Sequence, residues 1–544
     1  MAEAALQAVV SAAVAVAGFS QIVLSSHKLR HSKQKHFVPT TAIDQHAILA
    51  LESGFPMAAA TNTAKLSPRP VTKLAWSELY SEAELYKSAV RLYTKPLFSW
   101  RKALQSSTDG KNLYDFARHG LHNLGVLHQK LSNEEFHFRP GKELHYRFNG
   151  KQRTIYLYPW EERLVDLTLY RMLSRRLQPW FSPHSYAYRS RGFGVDHCQR
   201  RIAGVMKKSG RPLYIVKRDV ADYFPSVDHH ILLQQLEDFA NKEDYLFRLL
   251  EERVRFPFSD GLEQRNATRG IPFGTAIACL FANVHLTSLD VRLAAIPEIH
   301  YFRYADDLLI VSESRAAALD GAATIAGHLQ SLHLGSKPSH EQNLAFSEAR
   351  LDDDSFLCSS RFRHLGLEFR ANGATGLSRD KLRKICNLFR FALRRNRGKM
   401  RRTRDPEKRA RLAIQVIRKT IEDGIRNVAI LDYYLKHVED ERQLVQLDRW
   451  LAEAVLSCAF ENGHKKSNFR KMSFEQLRAM GLPSLAHRRR LIRHGRILSP
   501  FFIWKGYQQS KSSRGAAARP RAVSSYTGDA VFSPLPEAAA VKTS

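Results

Sequence analysis

The sequence predicts a multidomain α+β chain, and three observations lead to that class. A chain of 544 residues is too long for one compact core. Two apolar and aromatic runs, Leu213–Val216 and Tyr301–Val311, have the composition of strands, and both lie against carboxylates. Beyond residue 375 the apolar residues Leu382, Ile385, Leu388, Phe389, Ala392 and Leu393 recur at helical spacing instead.

Residues 1–75 are expected to form an extension with an apolar helix and a linker. Ala4–Leu24 is apolar, about the length of a membrane span, and is followed by Lys28, Arg30, Lys33 and Lys35. It lacks the positive start of a signal peptide. Gln7, Ser11, Gln21 and many small residues favour a packed or partner-binding helix over a span, so no membrane partner is expected. The Pro-containing polar patch near 53–75 reads as the linker. Residues 76–145 read as helical around Leu79, Leu85, Val90 and Leu92, and residues 146–375 hold the strand-like runs. Residues 376–505 read as helical and basic, with Ser473 and Gln476 in a capping-box pattern. Residues 506–544 are rich in Ser, Ala, Arg and Pro and read as a disordered tail.

The chemistry is concentrated in Tyr301–Val311, where Asp306 and Asp307 stand side by side between apolar blocks. Desolvating two like charges is costly, and a divalent cation offsets that cost. If the blocks are antiparallel strands, Ala305-Asp306-Asp307 forms a hairpin tip from which carboxylates project into a cleft. Upstream, Pro212–Phe224 contains a second strand-like run that ends in Asp219. Two such strands meeting at one edge would bring three carboxylates to two cations. That arrangement activates a hydroxyl and stabilises leaving pyrophosphate in phosphoryl transfer. The bland alternative for the Asp pair alone is an ordinary turn. Asp228 precedes His229-His230-Ile231-Leu232 and reads as a helix cap, and Asp222 as a turn residue, so neither joins the set.

Composition points the same way. With 84 Lys and Arg against 53 Asp and Glu, the formal charge is +31, which suits a phosphate backbone and makes binding salt-dependent. Much of it falls between Arg379 and Lys419, including Arg394 and Arg395. A helix packed by one face and basic on the other suits a surface that holds a nucleic-acid duplex. Five dispersed cysteines without a Cys-x-x-Cys pair indicate neither a disulfide framework nor a zinc module, and fit a reducing cytoplasm. The 23 histidines show no metal-ligand spacing.

Six segments in order resemble reverse transcriptases of the bacterial retron and group II intron type. Arg153–Pro159 with Glu162–Val165, and Ser185-Tyr186-Ala187-Tyr188-Arg189, resemble fingers motifs. Asp219 to His229 resembles the first palm motif, and Gly270-Ile271-Pro272-Phe273-Gly274 through Asn283 the template grip. Tyr304-Ala305-Asp306-Asp307 resembles the catalytic motif, and His364-Leu365-Gly366-Leu367 the primer grip. The resemblance implies a right-hand polymerase with an antiparallel palm sheet, α/β fingers and an all-helical thumb. It covers roughly residues 145–375, with helical likeness to about 500.

By that resemblance, Asp219, Asp306 and Asp307 are the catalytic set, and with Val220 they hold two Mg²⁺ ions, Mn²⁺ being the alternative; Asp307 is the weakest candidate for direct ligation. Lys151, Arg153, Phe224 and Gly274 would meet the nucleotide, Phe224 lying where an aromatic ring excludes a 2′-hydroxyl. Arg189, Pro272, Tyr304, Leu365, Gly366, Arg394 and Arg395 would meet template or primer, Arg189 being equally readable as a buried structural arginine. The partners implied are an RNA template, a structured non-coding RNA among the candidates, a DNA primer or product, dNTPs, and a second copy of the chain.

The chain also departs from the pattern. Phe273 stands where Gln is usual, Ala278 where Ser is usual, and Gln342 where a Lys is usual, with Lys337 upstream as a substitute. These departures resemble the abortive-infection and defence-associated branch, which implies antiphage defence. No nuclease module is expected after residue 505. Two alternatives stay open: template-independent synthesis primed on protein, with Tyr507 and Tyr526 as hydroxyl donors, and an RNA-binding maturase or scaffold with secondary catalysis.

Overall fold

The computed structural model describes residues 72–94, 99–148, 151–189, 192–210, 212–422, 431–432 and 434–496. The apolar segment Ala4–Leu24, the linker up to residue 71, Tyr507, Tyr526 and the tail lie outside the described residues. Nearly all the described residues belong to one unit running from Lys65 to Arg490.

In chain order the strands are β1 (Gly141–Phe148), β2 (Lys151–Leu157), β3 (Leu213–Asp219), β4 (Pro257–Ser259), β5 (Gln264–Asn266), β6 (Ile299–Tyr304), β7 (Asp307–Ser312), β8 (Gln342–Phe346), β9 (Leu357–Ser359), β10 (Arg361–His364), β11 (Leu367–Arg370) and β12 (Thr375–Leu377). Helices that flank them include α1 (Trp160–Arg176), α2 (Val195–Lys208), α3 (Ile277–His285), α4 (Thr287–Ala294), α5 (Arg315–Ser331), α6 (Arg379–Arg395), α7 (Pro406–Glu422) and α8 (Glu441–Phe460).

Helices also open the described chain, as its apolar spacing predicts. Glu82–Thr94, Leu113–Arg118 and Gly120–Ser132 bury Leu85, Leu113, Phe116, Leu124 and Leu127. The strands then build three sheets. The first has the order β2-β1-β4-β5, with β4 parallel to β1. Its β1 begins at Gly141, ahead of the expected boundary at 146.

The second sheet, ordered β6-β7-β3-β8-β9, carries the acids. Its pairings are antiparallel except for β8 with β9, which departs from the all-antiparallel expectation. Leu308, Leu309, Ile310 and Val311 of β7 are all fully buried. A strand covered on both faces loses polar alternation, which is why this run is continuously apolar in sequence. On one side α5 packs against β3 and β7. Gly321 lets α5 settle there, since a Cβ at that position would come within 2.6 Å of Ile310 Cδ1.

The third sheet, β10-β11-β12, leads into the helical part. The expected boundary at 375–376 cuts β12, which Gln443 of α8 clamps: Leu377 N donates to Gln443 Oε1 at 2.7 Å, and Gln443 Nε2 donates to Leu377 O at 3.0 Å. Beyond it, α6 buries Ile385, Phe389 and Leu393 and leaves Arg383, Arg390, Arg394 and Arg395 exposed. The amphipathic pattern read from sequence is therefore present. Ser473 and Gln476 form the expected reciprocal cap, and Asp228 caps its helix through His230 N and Ile231 N.

Candidate active site

The β6–β7 turn closes on Ala305, whose φ of 61° is left-handed and lets Tyr304 pair directly with Asp307. Asp306 thus sits at the tip, as the hairpin expectation requires. In register, Asp219 at the end of β3 faces Asp307 at the start of β7. Val220 N donates to Asp306 O at 3.1 Å, so the turn is stitched to the chain just past Asp219. A cavity of about 320 Å³ opens here, and Asp219, Val220, Asp306, Arg153, Phe224 and Lys337 all line it. Residues far apart in sequence therefore meet at one cleft.

Asp307 differs from its neighbours, because it does not line that cleft. Its Oδ1 is buried without a hydrogen bond, 3.9 Å from Lys217 Nζ, and its Oδ2 lies 3.5 Å from His364 Nδ1. Burial pushes its carboxyl up to about 7; Asp306 and Asp219 add to this, and Lys217 opposes it.

The donor set fits a hard divalent cation. Carboxylate oxygens suit magnesium, which takes one or two of them and completes its shell with water and substrate phosphates. Asp219 and Asp306 supply two on the cleft wall, and the unpartnered Oδ1 of Asp307 is a third acceptor nearby. Among the described residues no three metal-ligating side chains already form a closed cage, so substrate oxygens are part of the fit.

Beneath the turn lies a buried ion pair that sequence reading missed. Arg303 and Asp290 of α4 are fully enclosed, with Nη2 2.6 Å from Oδ2 and Nε 2.7 Å from Oδ1. Arg303 Nη1 also donates to Asn283 Oδ1 at 3.1 Å and to Ala305 O at 3.3 Å, and Tyr301 donates its hydroxyl to Asp290 at 2.9 Å. The signal for it is an arginine inside an apolar run, which in a buried strand demands a partner.

The nucleotide side of the cleft is aromatic. Phe224 meets Phe273 edge-on with ring centroids 5.0 Å apart, and Arg153 lies 5.8 Å from the Phe273 ring. Phe273 O accepts from Tyr156 N at 3.1 Å, which ties this segment to β2. Gly270, with φ of 87°, packs so tightly on Pro225 that a Cβ would lie 3.0 Å from its Cα. Pro272 is buried and Gly274, with φ of 111°, turns the chain, but neither lines the cleft. Lys151 begins β2, and its side chain lies outside the described residues.

Lys337 N donates to Asp219 O at 2.7 Å and Lys337 lines the cleft, whereas Gln342 of β8 pairs with Lys217 of β3 and does not line it. Of these two positions it is Lys337 that reaches the site, where Arg153 and Arg269 also bring positive charge. His340, which sequence reading passed over, places Nδ1 2.8 Å from Asp219 Oδ2.

Arg189 fits its structural alternative. Its guanidinium donates to the carbonyls of Ser182, Ser185 and Gln178 and lies 3.6 Å from the Phe193 ring. A fork occupied by loop carbonyls holds the loop, which is the structural role open to it beside the template contact.

Leu365 and Gly366 form the β10–β11 turn with φ of 46° and 82°. Leu365 O accepts from Gln199 Nε2 at 2.7 Å. Lys381 passes beneath this turn, and a side chain at Gly366 would collide with its Cε. Burial, aided by Lys384, pulls the Lys381 ammonium down to about 8. In the unfolded chain it returns to about 10.4. Between those values only the unfolded chain holds the proton, so this group makes stability rise with pH across that window. Lys381→Met is expected to flatten the rise in unfolding free energy between pH 8 and 10.4; an unchanged slope refutes it.

Residues 142–339 match the family described as Reverse transcriptase (RNA-dependent DNA polymerase). Protein YkfC of Escherichia coli strain K12 is 21% identical over 232 residues, covering 36% of this chain and 60% of YkfC. The chain thus spans about 60% of the length of the curated relative it matches. Telomerase from Candida albicans in complex with the TWJ fragment of telomeric RNA aligns at a TM-score of 0.39 with 12% identity, over 68% of this chain and 71% of that one. Apo telomerase from Candida tropicalis aligns at 0.36 with 11% identity, over 63% and 68%. Over residues 142–339 the chain is thus similar to reverse transcriptases.

Proposed function

We propose that this chain adds deoxynucleotides to a 3′-hydroxyl on an RNA template, as a right-hand polymerase. The sheet β6-β7-β3-β8-β9 serves as palm, β2-β1-β4-β5 as part of the fingers, and the helices from α6 onward as thumb. The observation that carries this reading is the convergence of Asp219 and Asp306 on one cleft with Arg153, Lys337 and Phe224.

Asp219 and Asp306 would hold magnesium or manganese, with the Val220 carbonyl and Asp307 beside them. Bound there, the ions lower the pKa of the attacking hydroxyl and neutralise the leaving pyrophosphate. The 3′-oxygen bonds to the α-phosphorus as the bond to the bridging oxygen breaks. Arg153 and Lys337 face the triphosphate charge. Phe224 occupies the space that a 2′-hydroxyl would need. Tyr304, Leu365 and Gly366 border the primer end, and Arg394 and Arg395 meet the duplex backbone through phosphates.

The setting we attach to this activity is a cytoplasmic defence role with a structured non-coding RNA as template. Its support is the resemblance of the divergent positions Phe273 and Gln342.

The direct test is incorporation of labelled dNTPs by the purified protein with its co-purifying nucleic acid and magnesium, with and without RNase. Loss on RNase treatment supports RNA-directed synthesis. Incorporation that survives RNase overturns it in favour of template-independent synthesis. In the same assay Phe224→Val should raise the use of ribonucleotides relative to deoxynucleotides by about 10–100-fold, the range for altered steric fit in a pocket. Unchanged selectivity would remove Phe224 from the sugar gate.

A further inference from the structure

Asp307 is the acid that stands apart from the cleft, and what faces it is a buried histidine from another sheet. His364 ends β10, its side chain is fully enclosed, and neither ring nitrogen makes a hydrogen bond. Leaving a buried imidazole wholly unpaired costs about 1–3 kcal/mol. The ring is held on one face by Phe362, stacked at 6.0 Å and 15°. Its Nδ1 points to Asp307 Oδ2 across 3.5 Å, a few tenths of an ångström beyond a good hydrogen bond. A fully enclosed imidazole without a hydrogen bond thus faces the half-buried Asp307 carboxyl, whose other oxygen, Oδ1, is itself unpartnered.

The two groups belong to different parts of the chain. Asp307 opens β7 in the sheet of acids, while His364 pairs with Leu367 across the Leu365-Gly366 turn. A bond between them would tie the direction of Asp307 to the seating of the β10–β11 hairpin. Lys217 cannot substitute, because a mobile ammonium 3.9 Å away fixes no rotamer.

We infer that His364 is a positioning residue: it donates a hydrogen bond to Asp307, orients that carboxylate toward the cations of the cleft, and couples it to the β10–β11 hairpin. This inference rests on the polymerase reading of the cleft. Partners of a metal-binding carboxylate are worth about 10–100-fold in metal affinity. His364→Leu and His364→Met remove the donor while filling similar space, and His364→Gln keeps a donor.

The decisive readout is Mn²⁺ binding to the full chain without nucleotide, followed by the electron paramagnetic resonance signal of free Mn²⁺. It is read beside urea unfolding and steady-state incorporation. The Leu and Met variants should bind Mn²⁺ about tenfold more weakly. They should lose kcat with the KM for dNTP unchanged and unfold no earlier than the parent, and His364→Gln should recover most of the affinity. Parental Mn²⁺ affinity in the apolar variants overturns the inference, as does a Gln variant no better than Leu. Asp306→Asn separates the two levels. If it weakens Mn²⁺ binding while His364→Leu does not, only this inference fails. If Asp306→Asn leaves Mn²⁺ binding intact, the metal reading of the cleft fails and takes this inference with it.

Discussion

Asp306→Asn should yield a folded protein whose nucleotide incorporation is lower by at least about 10³-fold, equivalent to ~4 kcal/mol of lost transition-state stabilisation. The substitution is nearly isosteric, and the contact that stitches the turn, Val220 N to Asp306 O, uses the backbone and survives. What disappears is one of the three carboxylates lining the cleft, Asp219 and Asp222 being the others. Cations at such a site contribute several kcal/mol by neutralising charge on the reacting oxygens. Asp219→Asn should be equally severe, and the double variant little worse than either, because groups acting as a unit are non-additive. Retained incorporation in Asp306→Asn, with a normal circular dichroism spectrum, would contradict the assignment of this cleft. It would move weight to the RNA-binding scaffold.

The second large effect is on stability. Asp290→Ala should destabilise the fold by about 3–5 kcal/mol, the range for stripping one partner from a buried ion pair. Arg303 has no exposed surface through which to reach water, so its charge would remain sealed in the core. Its other acceptors, Asn283 Oδ1 and Ala305 O, are neutral and do not replace a carboxylate. Replacing both members, as Asp290→Leu with Arg303→Met, should cost less than Asp290→Ala alone, because no isolated charge is left. Urea unfolding of the three proteins measures this directly. A double variant as unstable as the single would mean that the pair is needed for its shape and not for its charge balance.

The acids were legible because chemistry forced them into an unusual context, carboxylates against apolar strands. Nothing but a cleft and cations explains that placement easily. The amphipathic face of α6 was legible for a similar reason, since a period of helical spacing survives any tertiary arrangement. Arg189 was not. An arginine after two tyrosines has the same letters whether it meets a phosphate or three loop carbonyls, and the fold alone decides. His340 and His364 were also hidden. Each reaches an acid from more than fifty positions away, and no local pattern announces such a meeting. The strands at the boundaries 146 and 375 were hard to read because residues of weak strand preference fall in them, Gly141 at the start of β1 and Gly376 in the middle of the short β12.

The left-handed residues at this site have a consequence for how the protein ages and adapts. Ala305, Leu365 and Tyr188 all carry a side chain at a backbone angle that favours glycine. Each such residue costs about 1–2 kcal/mol relative to an ordinary conformation. Glycine at these places would relax the chain and also release the directions in which Asp306 and the hairpin turn are held. Selection for robustness and selection for aim therefore pull on the same few backbone angles in opposite senses. A lineage under pressure for heat resistance would be expected to gain its stability elsewhere, in the helices, and to leave these angles strained.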